Sequence, residues 1–151
     1  KERLGTGGSV ANALKVLNYD GNFFLINSDT WISATLKDFS GAEPPCIGIL
    51  FQEETRRYGI VEVSKDCQVT SFKEKNISSN SGFINCGLYL LNSELFLDWD
   101  ESPCSLEESY LSRFVEQGIL SGVNLEASFI DIGVPKDYEY FKKNFKEIIN
   151  E

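Results

Sequence analysis

The 151 residues contain no histidine and no methionine. Without an imidazole, acid–base work falls to carboxylates, lysine or a bound metal. The four cysteines, Cys46, Cys67, Cys86 and Cys104, form no Cys-x-x-Cys pair, and no histidine is there to complete a zinc site. They are read as reduced thiols of a cytoplasmic protein. No apolar run approaches the roughly 20 residues a membrane-spanning helix needs, and no secretory leader pattern is visible. Basic residues are few: 14 Lys and Arg stand against 23 Asp and Glu, a formal net charge of −9. That balance argues against a nucleic-acid or anionic-membrane surface. It leaves room for a nucleotide, whose phosphates a divalent cation and a few local donors can hold. The absence of methionine extends to position 1. With Lys1-Glu2-Arg3 at its start, the chain is expected to be an internal segment lacking an N-terminal part.

What is present is ordinary for a globular domain: 42% hydrophobic and 25% charged residues in a length that can bury one core. Val10, Ala13, Leu14 and Leu17 recur at helical spacing, so residues 9–17 predict a short helix with Ser9 as its cap. Gly7-Gly8 would allow a tight approach ahead of it. The run Phe23-Phe24-Leu25-Ile26 predicts a strand covered on both faces, as in a parallel sheet between helices. Residues 31–39 are open to a short helix before Pro44-Pro45 breaks the chain. Residues 46–51, 58–63, 68–72 and 82–91 predict four strands, and Asn76 to Ser81 a polar loop. Ser105-Leu106-Glu107-Glu108 is a capping-box pattern opening a helix that Gly118 stops. Residues 127–132 predict a strand. Pro135 opens a last helix with Tyr138, Phe141, Phe145 and Ile148 along its apolar face. Strands alternating with helices give an α/β fold with a mixed, mostly parallel central sheet flanked by helices.

A few residues carry chemistry. Asp29 follows a buried strand, where ligands of open α/β sheets bind, although aspartate is also common in turns. Asp131 lies within Phe129-Ile130-Asp131-Ile132-Gly133; an acid among apolar strand residues needs a cation or several donors unless it merely caps an exposed strand end. Two such acids could share one Mg²⁺, which takes carboxylates together with phosphate oxygens at about 2 Å, provided they lie within roughly 10 Å of each other. Lys75 is either a phosphate ligand or a solvated lysine at a strand end. Gly5, Gly7 and Gly8 before a helix could turn backbone amides toward a ligand.

In order along the chain, Leu4-Gly5-Thr6-Gly7-Gly8, Asn27-Ser28-Asp29-Thr30, Arg57-Tyr58-Gly59-Ile60-Val61, Phe72-Lys73-Glu74-Lys75, Gly82-Phe83-Ile84-Asn85-Cys86-Gly87 and Phe129-Ile130-Asp131-Ile132-Gly133-Val134-Pro135 resemble the motifs of the sugar-nucleotide pyrophosphorylases, the sugar 1-phosphate nucleotidyltransferases. Each is weak alone, but six in order cover nearly the whole chain. The resemblance implies a Rossmann-like nucleotidyltransferase fold, here N-terminally truncated, with residues 1–151 the C-terminal portion of a single domain. It implies a nucleoside triphosphate and a sugar 1-phosphate as partners and Mg²⁺ as cofactor. Gly5 and Thr6 would lie against the base, and Asp29 and Asp131 would bind the metal. Tyr58, Gly59, Glu74 and Asn85 would face the sugar, and Lys75 its phosphate. Such chemistry depends on positioning and charge neutralisation more than on a general base, which suits a chain without histidine.

There are departures. The family's Gly-x-Gly-Thr-Arg loop and its Pro-Lys-Pro lysine have no counterpart, so the chain alone is expected to be a poor catalyst. Ser28 replaces a glycine beside the metal aspartate, and Val134 replaces a threonine that would cap the last helix. Among subfamilies the motifs look most like heptose 1-phosphate guanylyltransferases, with mannose 1-phosphate guanylyltransferases and related uridylyl- or thymidylyltransferases open. A non-catalytic regulatory paralogue that binds nucleotide sugars is the main alternative. A glycosyltransferase fits less well, because Asn27-Ser28-Asp29 lacks the first acid of Asp-x-Asp. A dehydrogenase fits least, because no Gly-x-Gly-x-x-Gly follows a strand. Oligomeric state is left open, a homo-oligomer being compatible with the sequence.

Overall fold

The computed structural model describes residues 3–73 and 81–149. Helix α1 (Gly5–Leu17) leads into β1 (Asn22–Ile26) and β2 (Thr30–Ile32). A 3-10 turn (Leu36–Phe39) precedes β3 (Cys46–Gln52), β4 (Ile60–Val63), β5 (Val69–Lys73) and the long β6 (Gly82–Asn92). A π-helical turn (Leu106–Leu111) runs into α2 (Ser112–Glu116), followed by β7 (Ser121–Asn124), β8 (Phe129–Asp131) and α3 (Pro135–Ile148).

The larger sheet has the order β5-β4-β6-β3-β7, with β1 also paired to β6; β2 and β8 form a separate two-stranded sheet. The sheet is mixed and flanked by helices, as expected. The expectation of mostly parallel pairing is not met: among the described residues only β3 with β7 is parallel, and every other pair is antiparallel. The core lies on both faces of β3 and β6. Ile47, Ile49, Tyr89 and Leu91 pack with Tyr110, Leu111 and Phe114 on one side. Cys46, Leu50, Ile84, Cys86 and Leu88 pack with Phe39 and Leu125 on the other. A strand buried on both faces reads as an unbroken apolar run, which is why β3 and β6 were legible.

Local expectations need correction. First, α1 begins at Gly5, and Ser9 is not its cap: the Ser9 hydroxyl donates to the Gly5 carbonyl oxygen from inside the helix at 2.6 Å. The Gly7 and Gly8 amides donate to the Cys104 carbonyl oxygen at 3.0 and 3.3 Å, so the helix start is satisfied by the chain itself. Those two amides are therefore engaged within the protein and are not turned toward a ligand. Second, β1 is not covered on both faces of a parallel sheet. It pairs antiparallel with β6, and Phe24 and Ile26 are exposed. Third, residues 31–39 hold a strand and a 3-10 turn rather than one helix, and on α3 only Ile148 is fully buried, with Tyr138 and Phe145 exposed.

Candidate functional site

Asp29 occupies the turn that joins β1 to β2, and Asp131 ends β8. The antiparallel register of β2 with β8 sets Thr30 opposite Asp131, Trp31 opposite Ile130 and Ile32 opposite Phe129, which brings the two acids from distant parts of the chain to one edge. Gly133 completes the corner. Its amide donates to the Asp29 carbonyl oxygen at 3.1 Å and to Asp131 Oδ1 at 3.2 Å. A Cβ placed on Gly133 would stand 3.0 Å from Asp29 Oδ2 and 3.2 Å from Asp131 Oδ1. Both carboxylate oxygens thus border one small solvent-facing space that only glycine leaves open. Their separation cannot exceed the sum of those two distances, well inside the roughly 10 Å limit for sharing an ion with bonds of about 2 Å.

Asp131 is half-buried, and it finds the cation that its apolar setting calls for: Arg57 Nη2 lies 3.8 Å from Asp131 Oδ2. The same nitrogen donates to the Asp137 carboxylate in the first turn of α3. That bond, above the smaller effects of neighbouring charges, holds the Arg57 pKa above its ordinary value. The Arg57 guanidinium also lies over the Tyr58 ring, 5.6 Å from its centre, and Tyr58 packs edge-to-face on Phe129 of β8 at 5.7 Å. Burial pushes the Tyr58 hydroxyl up from its ordinary pKa, so it stays protonated. Residues 57–58 therefore adjoin the strand that carries Asp131. Sequence reading gave Arg57 no role of its own, because nothing local links it to acids about 75 to 80 positions away.

Asn85 sits on β6, where its side-chain amide donates to the Tyr89 hydroxyl at 3.0 Å and its oxygen accepts the Gly87 amide at 3.1 Å. Gly87, inside β6, has φ +77° and a Cβ there would meet the Asn27 side chain at 2.6 Å, so this strand position requires glycine. Asn85 thus shapes the backbone next to Asn27 at the mouth of β1. Glu74 and Lys75 lie outside the described residues.

A cavity of about 700 Å³ joins Gly5 and Thr6 to Ser28 and Asp29, and Glu107 also lines it. Thr6 accepts the Leu106 amide at 2.8 Å and donates to Glu107 Oε2 at 3.4 Å, tying the start of α1 to the turn that opens the π-helix. Ser105 accepts the Glu108 amide as the capping pattern predicted. The same hydroxyl donates to Glu107 Oε2 at 3.1 Å. Glu107 was hidden in the sequence, since the capping pattern accounted for its neighbourhood without it. A second cavity, about 730 Å³, lies at the other end of α1 beside Tyr19, Glu94 and Trp99 and contains none of the candidate residues. The first is the candidate ligand site, because it opens at the carboxyl end of β1 and is lined by Asp29.

The fold and this corner place the chain among α/β proteins whose ligands bind outside strand ends. Residues 1–147 match the model of the family described as nucleotidyl transferase, and the chain belongs to that family. It is 32% identical over 145 residues to D-glycero-alpha-D-manno-heptose 1-phosphate guanylyltransferase of Campylobacter jejuni, covering 95% of this chain and 64% of that protein. It is 31% identical to the mannose-1-phosphate guanyltransferase of Kluyveromyces lactis, covering 91% of this chain and 40% of the relative. The crystal structure of HddC from Yersinia pseudotuberculosis complexed with GMP-PN superposes with a TM-score of 0.82 at 32% identity, over 96% of this chain and 64% of that one. The chain thus spans less than two thirds of these relatives.

Proposed function

We propose that the full-length protein transfers a nucleoside monophosphate from a nucleoside triphosphate to a sugar 1-phosphate, releasing pyrophosphate, with GTP and heptose or mannose 1-phosphate as its substrates. The observation that carries this is the convergence of Asp29 and Asp131 on the Gly133 gap, beside the cavity that holds Gly5 and Thr6. The names of the guanylyltransferase relatives support the choice of GTP and of these sugars. The donor set suits Mg²⁺. Among the described residues no third His, Cys, Asp or Glu joins the pair, and Mg²⁺ commonly takes one or two carboxylates and completes its shell with water and phosphate oxygens. Bound there, Mg²⁺ would neutralise charge on the triphosphate.

The remaining work is positional. Gly5 and Thr6 form the wall for the base, and Tyr58, Gly59, Glu74 and Asn85 orient the sugar. Lys75 holds its phosphate so that a phosphate oxygen bonds to the α-phosphorus as the α–β phosphoanhydride breaks and its electron pair leaves on pyrophosphate. We read residues 1–151 as the C-terminal portion of one nucleotidyltransferase domain. The exposed Phe24 and Ile26 of β1, which has a free edge among the described residues, support a larger sheet. We assign the protein to the cytoplasm; four unpaired thiols fit a reducing compartment. Among the described residues no helix is long and apolar enough to cross a membrane.

Pyrophosphate release by the full-length protein, tested with each nucleoside triphosphate against a panel of sugar 1-phosphates, checks the assignment. GTP with heptose or mannose 1-phosphate should give the highest rate. Ser28, standing where the family motif has glycine, favours the second reading, a non-catalytic subunit that binds nucleotide sugars. Release with no pair, alongside retained nucleotide-sugar binding, would select it.

A further inference from the structure

We propose that Arg57 is an internal counter-ion for Asp131 that a divalent ion has to displace, so that this arginine, balanced by Asp137, sets the affinity of the metal site. The inference rests on the metal reading of Asp29 and Asp131. Asp131 divides its two oxygens: Oδ1 takes the Gly133 amide and borders the gap shared with Asp29, while Oδ2 faces Arg57 Nη2 at 3.8 Å. A divalent ion bonded to this carboxylate at about 2 Å would stand close to the guanidinium, and like charges at that range repel. Arg57 has a second carboxylate to retreat to, because the same Nη2 donates to Asp137. One cation is therefore shared between an acid inside the site and an acid outside it. The arrangement also joins the metal corner to Tyr58, which lies under the same guanidinium.

Arg57 and Asp137 make opposite predictions. Removing the Arg57 charge should tighten the site. Removing the Asp137 charge leaves Asp131 as the carboxylate partner of Arg57 and should weaken it. Arg57 is half-exposed, at 48%, so solvent screening keeps each effect to about two- to fivefold in dissociation constant. Both should shrink as salt is raised.

The test is Mn²⁺ binding to full-length protein without nucleotide, read by electron paramagnetic resonance at low ionic strength. Arg57→Gln should bind Mn²⁺ more tightly than wild type, Asp137→Asn more weakly, and Asp131→Asn should bind least. An arginine that only props the loop would lower affinity when removed. Loss of affinity in Arg57→Gln, or no change in either variant while Asp131→Asn abolishes binding, overturns the counter-ion role and leaves the metal site standing. No Mn²⁺ binding by wild type, or binding indifferent to Asp131→Asn, overturns the metal reading and this inference with it. Should Arg57→Gln fail to fold by circular dichroism, Asp137→Asn decides alone: weaker binding supports the role, and unchanged or tighter binding overturns it.

Discussion

At the scale of single residues, Gly133 is the most informative position. Its backbone does not require φ above zero, and the atoms that a new Cβ would meet are the ends of two flexible carboxylates. Gly133→Ala should therefore fold with its melting temperature little changed, because those side chains can swing aside. Swinging aside separates the oxygens that are proposed to share an ion, and Mn²⁺ affinity should fall about tenfold or more, since metal sites tolerate ligand displacements of only about 0.2 Å. Electron paramagnetic resonance and a thermal melt on the same sample check both halves; full Mn²⁺ affinity in Gly133→Ala would show that the gap is not the metal's place. The cysteines make a second prediction. Burial pushes the thiols of Cys46 and Cys86 up to about 11, whereas Cys67 is exposed. At pH 8 iodoacetamide should label Cys67 and spare Cys46 and Cys86 until the protein unfolds, as peptide mass mapping would read. The linked stability has a definite sign. The unfolded chain's thiols ionise near 9 and the folded ones near 11, so stability is full below pH 9 and declines as pH rises from there toward 11.

At the scale of elements, the legible parts were those whose pattern answers to one local rule. The buried strands β3 and β6 and the proline at the first turn of α3 follow from apolar runs and from the fixed φ of proline. The start of α1 was misplaced because its first amides are held by the Cys104 carbonyl, about a hundred residues away, which no local pattern announces. The run Phe23 to Ile26 could not distinguish a parallel strand buried on both faces from an antiparallel strand with one open face, since both read as continuous apolar sequence. The paired acids were legible as strand-end carboxylates, but the register that unites them and the Arg57–Asp137 link arise only on folding. Val134, which departs from the family threonine, occupies the cap position of α3 without any side-chain hydrogen bond. Val134→Thr should supply that bond, stabilising the protein by about 1 kcal/mol and raising Tm by about 2–4 °C. A melting curve unchanged or lowered would mean that the hydroxyl cannot reach the helix amides.

At the scale of the whole molecule, the proposed activity depends on Asp29 and Asp131 and the ion proposed to lie between them. The two acids come from opposite ends of the chain and meet at the edge of a small separate sheet, and Asp29 lines the cavity that also contains Gly5 and Thr6. Six motifs in family order foretold that meeting, while Glu107 and the counter-ion arrangement became visible only in three dimensions. The most direct measurement is the rate of pyrophosphate release from GTP and heptose or mannose 1-phosphate by full-length protein with and without Asp131→Asn. The substitution keeps the shape of the side chain and removes a charge that would fix the ion between phosphates. An electrostatic clamp worth about 3–4 kcal/mol predicts a rate lower by roughly 10²–10³-fold. Release by Asp131→Asn at the wild-type rate would contradict the account.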